Sequence, residues 1–195
     1  TSIGSYAVAY NKLKKLHVAA SIANVEAMTF AYNELEDVTI EKASSIDRGA
    51  FMGNRIHTLS LPNTLKTIGP EAFHKSNLKR LILPEGVEAV SEKAFQNNQI
   101  TSVTVPASLK TVDLTAFYTN PLSQLILKGS NTVINEPSYM LNNESAKLKG
   151  LYTNESLTVK YERIGKQNGK PQTLYVAWQK EAKFKDIAGH WAQGA

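Results

Sequence analysis

Asp37, His57 and Ser60 are the residues in this sequence whose types match a hydrolytic triad. A serine nucleophile needs a histidine base within hydrogen-bond reach and a carboxylate to orient that base. His57 and Ser60 stand three residues apart in an alternating segment, which directs their side chains to opposite sides unless the backbone bends before the strand. The remaining histidines, His17, His74 and His190, are scattered without metal-ligand spacing. Cysteine is absent, which removes thiol nucleophiles, Cys-ligated zinc and disulfides. The sequence also lacks His-Glu-x-x-His and any phosphate-cradling glycine loop. These features point away from catalysis, a bound metal or a cofactor in this chain.

The 195 residues are 42% hydrophobic and 20% charged, enough apolar content for a core. No run of 18 apolar residues exists, so no membrane-spanning helix is expected. The opening residues, Thr1 to Val8, lack the basic-then-apolar layout of a signal peptide, so the protein is cytoplasmic or its signal lies outside this sequence. The net charge of +5 is uneven: residues 1–143 carry 13 Lys and Arg against 12 Asp and Glu, and residues 144–195 carry 9 against 5. The basic residues of the tail are dispersed singly, without the stripe and interleaved aromatics that nucleic acid requires.

The elements that position these residues follow from a repeat. An apolar anchor recurs at Val8, Phe30, Phe51, Phe73, Phe95, Phe117 and Tyr139, with spacings of 22, 21, 22, 22, 22 and 22. Three residues after each anchor stands Asn11, Asn33, Asn54, Ser76, Asn98, Asn120 or Asn142. Five after it comes Leu13, Leu35, Ile56, Leu78, Ile100 or Leu122, and the column fails at Glu144. Each unit contains an alternating Leu-x-Leu core, as in Leu81-Ile82-Leu83, read as a short half-buried strand. Pro62, Pro84 and Pro106 then withhold a ladder N–H and end the strand. One unit cannot cover its own apolar face, so stacking must put Phe on Phe and Asn on Asn. The Asn column has its own reason: where the chain turns inward, buried backbone groups need partners, and an amide offers both donor and acceptor.

These columns resemble the BspA-like class of leucine-rich repeats found on bacterial surface proteins, over residues 1–142. The repeat length, the proline, Ile68-Gly69 and the Ala-Phe pairs all recur. Departures are Glu41 after Ile40, where proline is usual, and Ser91, Asp113 and Asp47 at the glycine position. The resemblance implies a mainly β solenoid with six to seven repeats, short parallel strands and irregular or short helical return segments. It also implies that the strand wall is where partners bind. Six strands about 4.8 Å apart give a wall roughly 24 Å wide. Its outward columns read Lys15, Asp37, Thr58, Arg80, Ser102, Gln124 and His17, Thr39, Ser60, Ile82, Thr104, Ile126. The expected partner is a protein or a glycan. Thr and Ser in these columns equally suit a solvated sheet, and no aromatic hot spot stands out.

Beyond residue 142 the period stops. Tyr152-Thr153-Asn154, Leu157 to Glu162 and Thr173 to Trp178 alternate like strands, and Asn168-Gly169 is a strong turn signal. Residues 143–181 are therefore expected to form a small β-hairpin that caps the last coil. Gly150 to Asn154 and Thr173 to Trp178 resemble the second half of the Listeria–Bacteroides repeat. Residues 182–195 contain Phe184, Asp186, Gly189, His190, Trp191 and Ala192, spaced as in the opening of an S-layer homology domain, which holds proteins to cell-wall polymers. The chain starts inside a repeat and stops inside that motif, so a piece of a longer exported protein is expected. The combined reading is a non-enzymatic scaffold at the bacterial cell surface, with no nucleic acid and no membrane span. A spacer, or an accessory region of a wall-anchored enzyme, is the alternative.

Overall fold

The computed structural model describes residues 2–135 and 148–178. Column members Tyr139 and Asn142 and the S-layer-like segment 184–192 lie outside them. The chain winds as a coil whose wall strands are β1 (Lys15–Val18), β3 (Asp37–Ile40), β5 (Thr58–Ser60), β7 (Arg80–Ile82), β9 (Ser102–Val105) and β11 (Gln124–Leu127). Between them come the return strands β2 (Asn24–Val25), β4 (Ser45–Ile46), β6 (Thr67–Ile68), β8 (Ala89–Val90), β10 (Thr111–Asp113) and β12 (Val133–Asn135). The last two strands are β13 (Leu148–Tyr152) and β14 (Gln172–Trp178).

This is the expected leucine-rich-repeat solenoid. Its return side is more regular than the sequence suggests, with β2-β4-β6-β8 and β10-β12 forming short parallel ladders of their own. Helix is confined, among the described residues, to a 3-10 turn at Leu114–Phe117, where the Asp113 carboxylate accepts from Thr115 N. The prolines act as anticipated. The carbonyls of Pro62, Pro84 and Pro106 accept from Leu65, Val87 and Leu109 and close tight turns beyond each wall strand.

The core is a stack of columns. Phe30, Phe51, Phe73, Phe95 and Phe117 are buried and stack with centroids 5.5, 5.2, 5.4 and 5.8 Å apart, near-parallel at 4° to 18°. From Phe30 to Phe95 each anchor's N–H reaches the alanine carbonyl of the next coil, as from Phe51 to Ala72 and from Phe73 to Ala94, both at 2.8 Å. The corner is made by left-handed residues two before and two after the anchor, such as Met28 and Tyr32 or Lys93 and Asn97. Most of these are not glycine, which is why the sequence does not announce them. At Gly69 the requirement is different: an added Cβ would stand 2.9 Å from Arg48 N, so only glycine lets these coils approach.

The amide column closes the turns. Asn98 Oδ1 accepts from Ser76 N and Leu78 N at 3.0 and 2.9 Å, and its Nδ2 donates to Phe73 O and Phe95 O at 2.8 and 2.9 Å. Asn33, Asn54 and Asn120 repeat the pattern, each accepting from the preceding coil and donating to two anchor-region carbonyls. Asn11, on the first coil, is exposed and bonds only to Val8 O and Ala9 O. Replacing Asn98 by Ala should therefore cost about 3 kcal/mol or more, since each orphaned buried group is worth roughly 1–3 kcal/mol. Asn11→Ala should change urea-unfolding stability by less than about 0.5 kcal/mol.

His74, next to its anchor, has a buried Nδ1 without a hydrogen-bond partner among the described residues. Burial lowers its pKa from 6.5, Glu71 opposes the shift, and Lys75 and Lys93 add to it. The unfolded chain thus takes up this proton more readily than the folded one. His74 costs no stability well above pH 6.5 and costs progressively more as pH falls below it. Thermal unfolding between pH 7 and pH 5 should drop less steeply in His74→Gln than in the wild type.

Candidate functional site: the strand wall

All twelve outward residues lie on one face of the wall, in two rows fixed by strand register. Lys15, Asp37 and Thr58 are paired in register on β1-β3-β5, and Arg80, Ser102 and Gln124 are paired in register on β7-β9-β11. In the other row His17, Thr39 and Ser60 are paired on the first three strands, and Ile82, Thr104 and Ile126 on the second three. The alternate residues on the same strands, such as Val38, Leu81, Val103 and Leu125, are buried in the core. Ile82 is 65% exposed, an unusual posture for a large aliphatic side chain. His17 Nε2 lies 3.1 Å from Glu41 Oε2, and the same oxygen accepts from Ala20 N at 3.2 Å. Glu41 thus closes a turn of the preceding coil at the place where other units carry proline.

The two rows are not continuous. Strands β1-β3-β5 form one sheet, and β7-β9-β11 belong to another, so the ladder splits between β5 and β7. The Phe51–Phe73 stack and the β4-β6-β8 return ladder both cross this level intact, so only the wall opens. The cause is local. In other coils the amide five residues after the anchor donates to the next coil's Asn Oδ1. Ser76 is too short to accept that bond, and Ile56 N instead reaches the Ser76 backbone carbonyl at 2.9 Å. With that peptide turned, Asn77 takes a φ of +60°, a left-handed conformation found at this repeat position in no other described coil. The approach to β7 is thereby set out of step with β5. A cleft of about 470 Å³ results, lined by His57, Thr58, Leu59, Asn77, Lys79 and Arg80.

Among the described residues, no hydrogen bond joins Ser60 to His57 or to Asp37. No cluster of three or more His, Cys, Asp and Glu suited to a metal is found among them, and no helix is long and apolar enough to cross a membrane.

The wall extends further than the sequence indicated. Strand β14 pairs antiparallel with β11, placing Tyr175 beside Gln124 and Thr173 beside Ile126. Leu174 and Val176 face the core, so Thr173 and Tyr175 share the outward face and bring an aromatic to it. The expected hairpin is differently built. Strand β14 pairs with β13, not with 157–162, which forms a turn and one bridge, Tyr152 to Lys160. Asn168-Gly169 is no hairpin tip: Asn168 is buried, donates through Nδ2 to Gly129 O, and fastens the connection to the last coil.

A family model described as the BspA type leucine-rich repeat region matches residues 1–77 and 44–164, in six copies. No curated protein matches the chain. Because the ladder is open between β5 and β7, the β7 amides directed away from β9 should exchange with deuterium at least about tenfold faster than those of Ser102–Thr104, which lie between two paired strands.

Proposed function

The chain belongs to the BspA-type leucine-rich-repeat family, and from that membership we propose that its strand wall is the contact surface for a protein partner. Repeats of this type form binding scaffolds, are typically non-catalytic, and usually occur in bacterial surface proteins. The observation that carries the reading is Ile82, 65% exposed beside Arg80 on β7, at the lip of the wall's only break among the described residues. An exposed aliphatic flanked by a guanidinium and a cleft supplies an apolar anchor with a directional polar neighbour. Tyr175, four strands along the same face counting β7, adds an amphipathic ring of the kind enriched in contact surfaces.

A role in adhesion at the cell surface follows from this reading. Attachment to cell-wall polymer rests on the resemblance of 184–192 to an S-layer homology opening. A glycan partner is the second form of the proposal, supported by the hydroxyls of Thr39, Thr58, Ser60, Ser102 and Thr104 along the wall.

Protein and glycan arrays probed with this chain supply the ligand. The double substitution Arg80→Ala plus Ile82→Ala should weaken that binding at least about tenfold, as expected for a contact hot spot. Its unfolding midpoint should stay close to wild type, because exposed positions shift stability by only about 0.5 kcal/mol. Equal binding by the double variant overturns the wall as the contact surface.

A further inference from the structure

We propose that the cleft beside β14 in the C-terminal cap is a binding site for a small oxyanion, a carboxylate or a phosphate. This site belongs to the cap and adjoins the wall, whose outward residues Thr173 and Tyr175 also line it. The cleft encloses about 800 Å³, and Lys160, Tyr161, Arg163, Asn168, Lys170 and Tyr175 are among its lining residues. Three cations converge there against one carboxylate, Glu162. None of the three is ion-paired among the described residues, although Arg48, Lys128 and His17 elsewhere each have an acidic partner. The excess basic charge of residues 144–195 is thus partly gathered at one concavity, although its lysines are dispersed in sequence.

Preorganisation of the arginine adds to this. Arg163 is held in place: its Nε donates to Gln167 O at 2.7 Å. The guanidinium lies over Gly169, whose φ is +89° and whose added Cβ would stand 3.5 Å from Arg163 Nε. The terminal N–H groups of Arg163 remain for a planar two-oxygen ligand, the geometry a guanidinium matches best. Tyr161 is only 5% exposed, yet its hydroxyl is buried without a hydrogen-bond partner among the described residues. A buried hydroxyl in that state is unfavourable unless something accepts from it. Burial pushes the phenol's pKa up and the charge of Arg163 acts against that shift, so the hydroxyl is protonated at neutral pH and within reach of the arginine's field. Tyr161 thus lines the cleft without presenting its hydroxyl to solvent, and the contacts open to an oxyanion are those of the three cations.

The test uses the whole chain, titrated with sodium phosphate and separately with sodium malonate at low and at physiological salt, followed by backbone amide shifts. Saturable shifts of Arg163, Gly169 and Lys170 amides are expected, weaker at higher salt. Preference for one titrant over the other identifies the oxyanion as phosphate or carboxylate. Arg163→Gln plus Lys170→Gln should weaken binding at least about tenfold, the loss expected for charge-assisted hydrogen bonds. Glu162→Gln should tighten it. The distant exposed variant Lys42→Gln should bind as wild type. The proposal is overturned by non-saturable shifts with both titrants, by equal weakening in Lys42→Gln, or by wild-type affinity in the Arg163→Gln plus Lys170→Gln variant.

Discussion

Everything in this molecule depends on a backbone that cannot satisfy itself within one coil. Each turn leaves inward-pointing N–H and C=O groups and a half-covered phenylalanine, and both are completed only by the coil above or below. The two columns do different work. The phenylalanines supply bulk apolar burial that tolerates small shifts, whereas the asparagine amides impose hydrogen-bond geometry and so fix the register. The single substitution in the amide column shows the difference. At Ser76 the apolar stack passes undisturbed at 5.2 Å, while the wall ladder separates.

Much of this was legible in the sequence because a solenoid repeats its reasons. Anchor, amide and strand columns could be read from spacing alone, and the twelve wall residues followed from alternation. What was not legible came from single peptides and from distant pairing. Ser76 was visible as a variant of its column, but the rotation of the next peptide and the φ of Asn77 depend on which acceptor Ile56 N finds in three dimensions. Asn168-Gly169 carried a strong local hairpin signal, and local signals do not report that Gly129 and Ser130 of the last coil were waiting for hydrogen-bond partners. The aromatic on the wall was missed for the same reason. Tyr175 joins that face only because β14 pairs with β11 across some fifty residues of chain.

Charge follows the same division between column and exception. The repeats are nearly neutral, and where a wall imidazole meets a carboxylate, as His17 meets Glu41, the acidic partner takes a position that proline holds in other units. The cap has no repeat to obey, and its connection brings lysines and an arginine together around a concavity. Specific chemistry thus gathers at two places where periodicity lapses, the β5–β7 split and the cap, while the periodic body holds them at a fixed separation.

The cap also ends the molecule asymmetrically. It lays two strands, β14 and β13, beyond β11 on the wall, but on the return side it contributes, among the described residues, one bridge, Val133 to Gln167. An incoming coil from another copy would need both ladders at the same level, and here they stop at different heights, with a register shift in β13 between Leu148 and Gly150. On the described face, a coil from another copy could therefore not pair with both ladders at once.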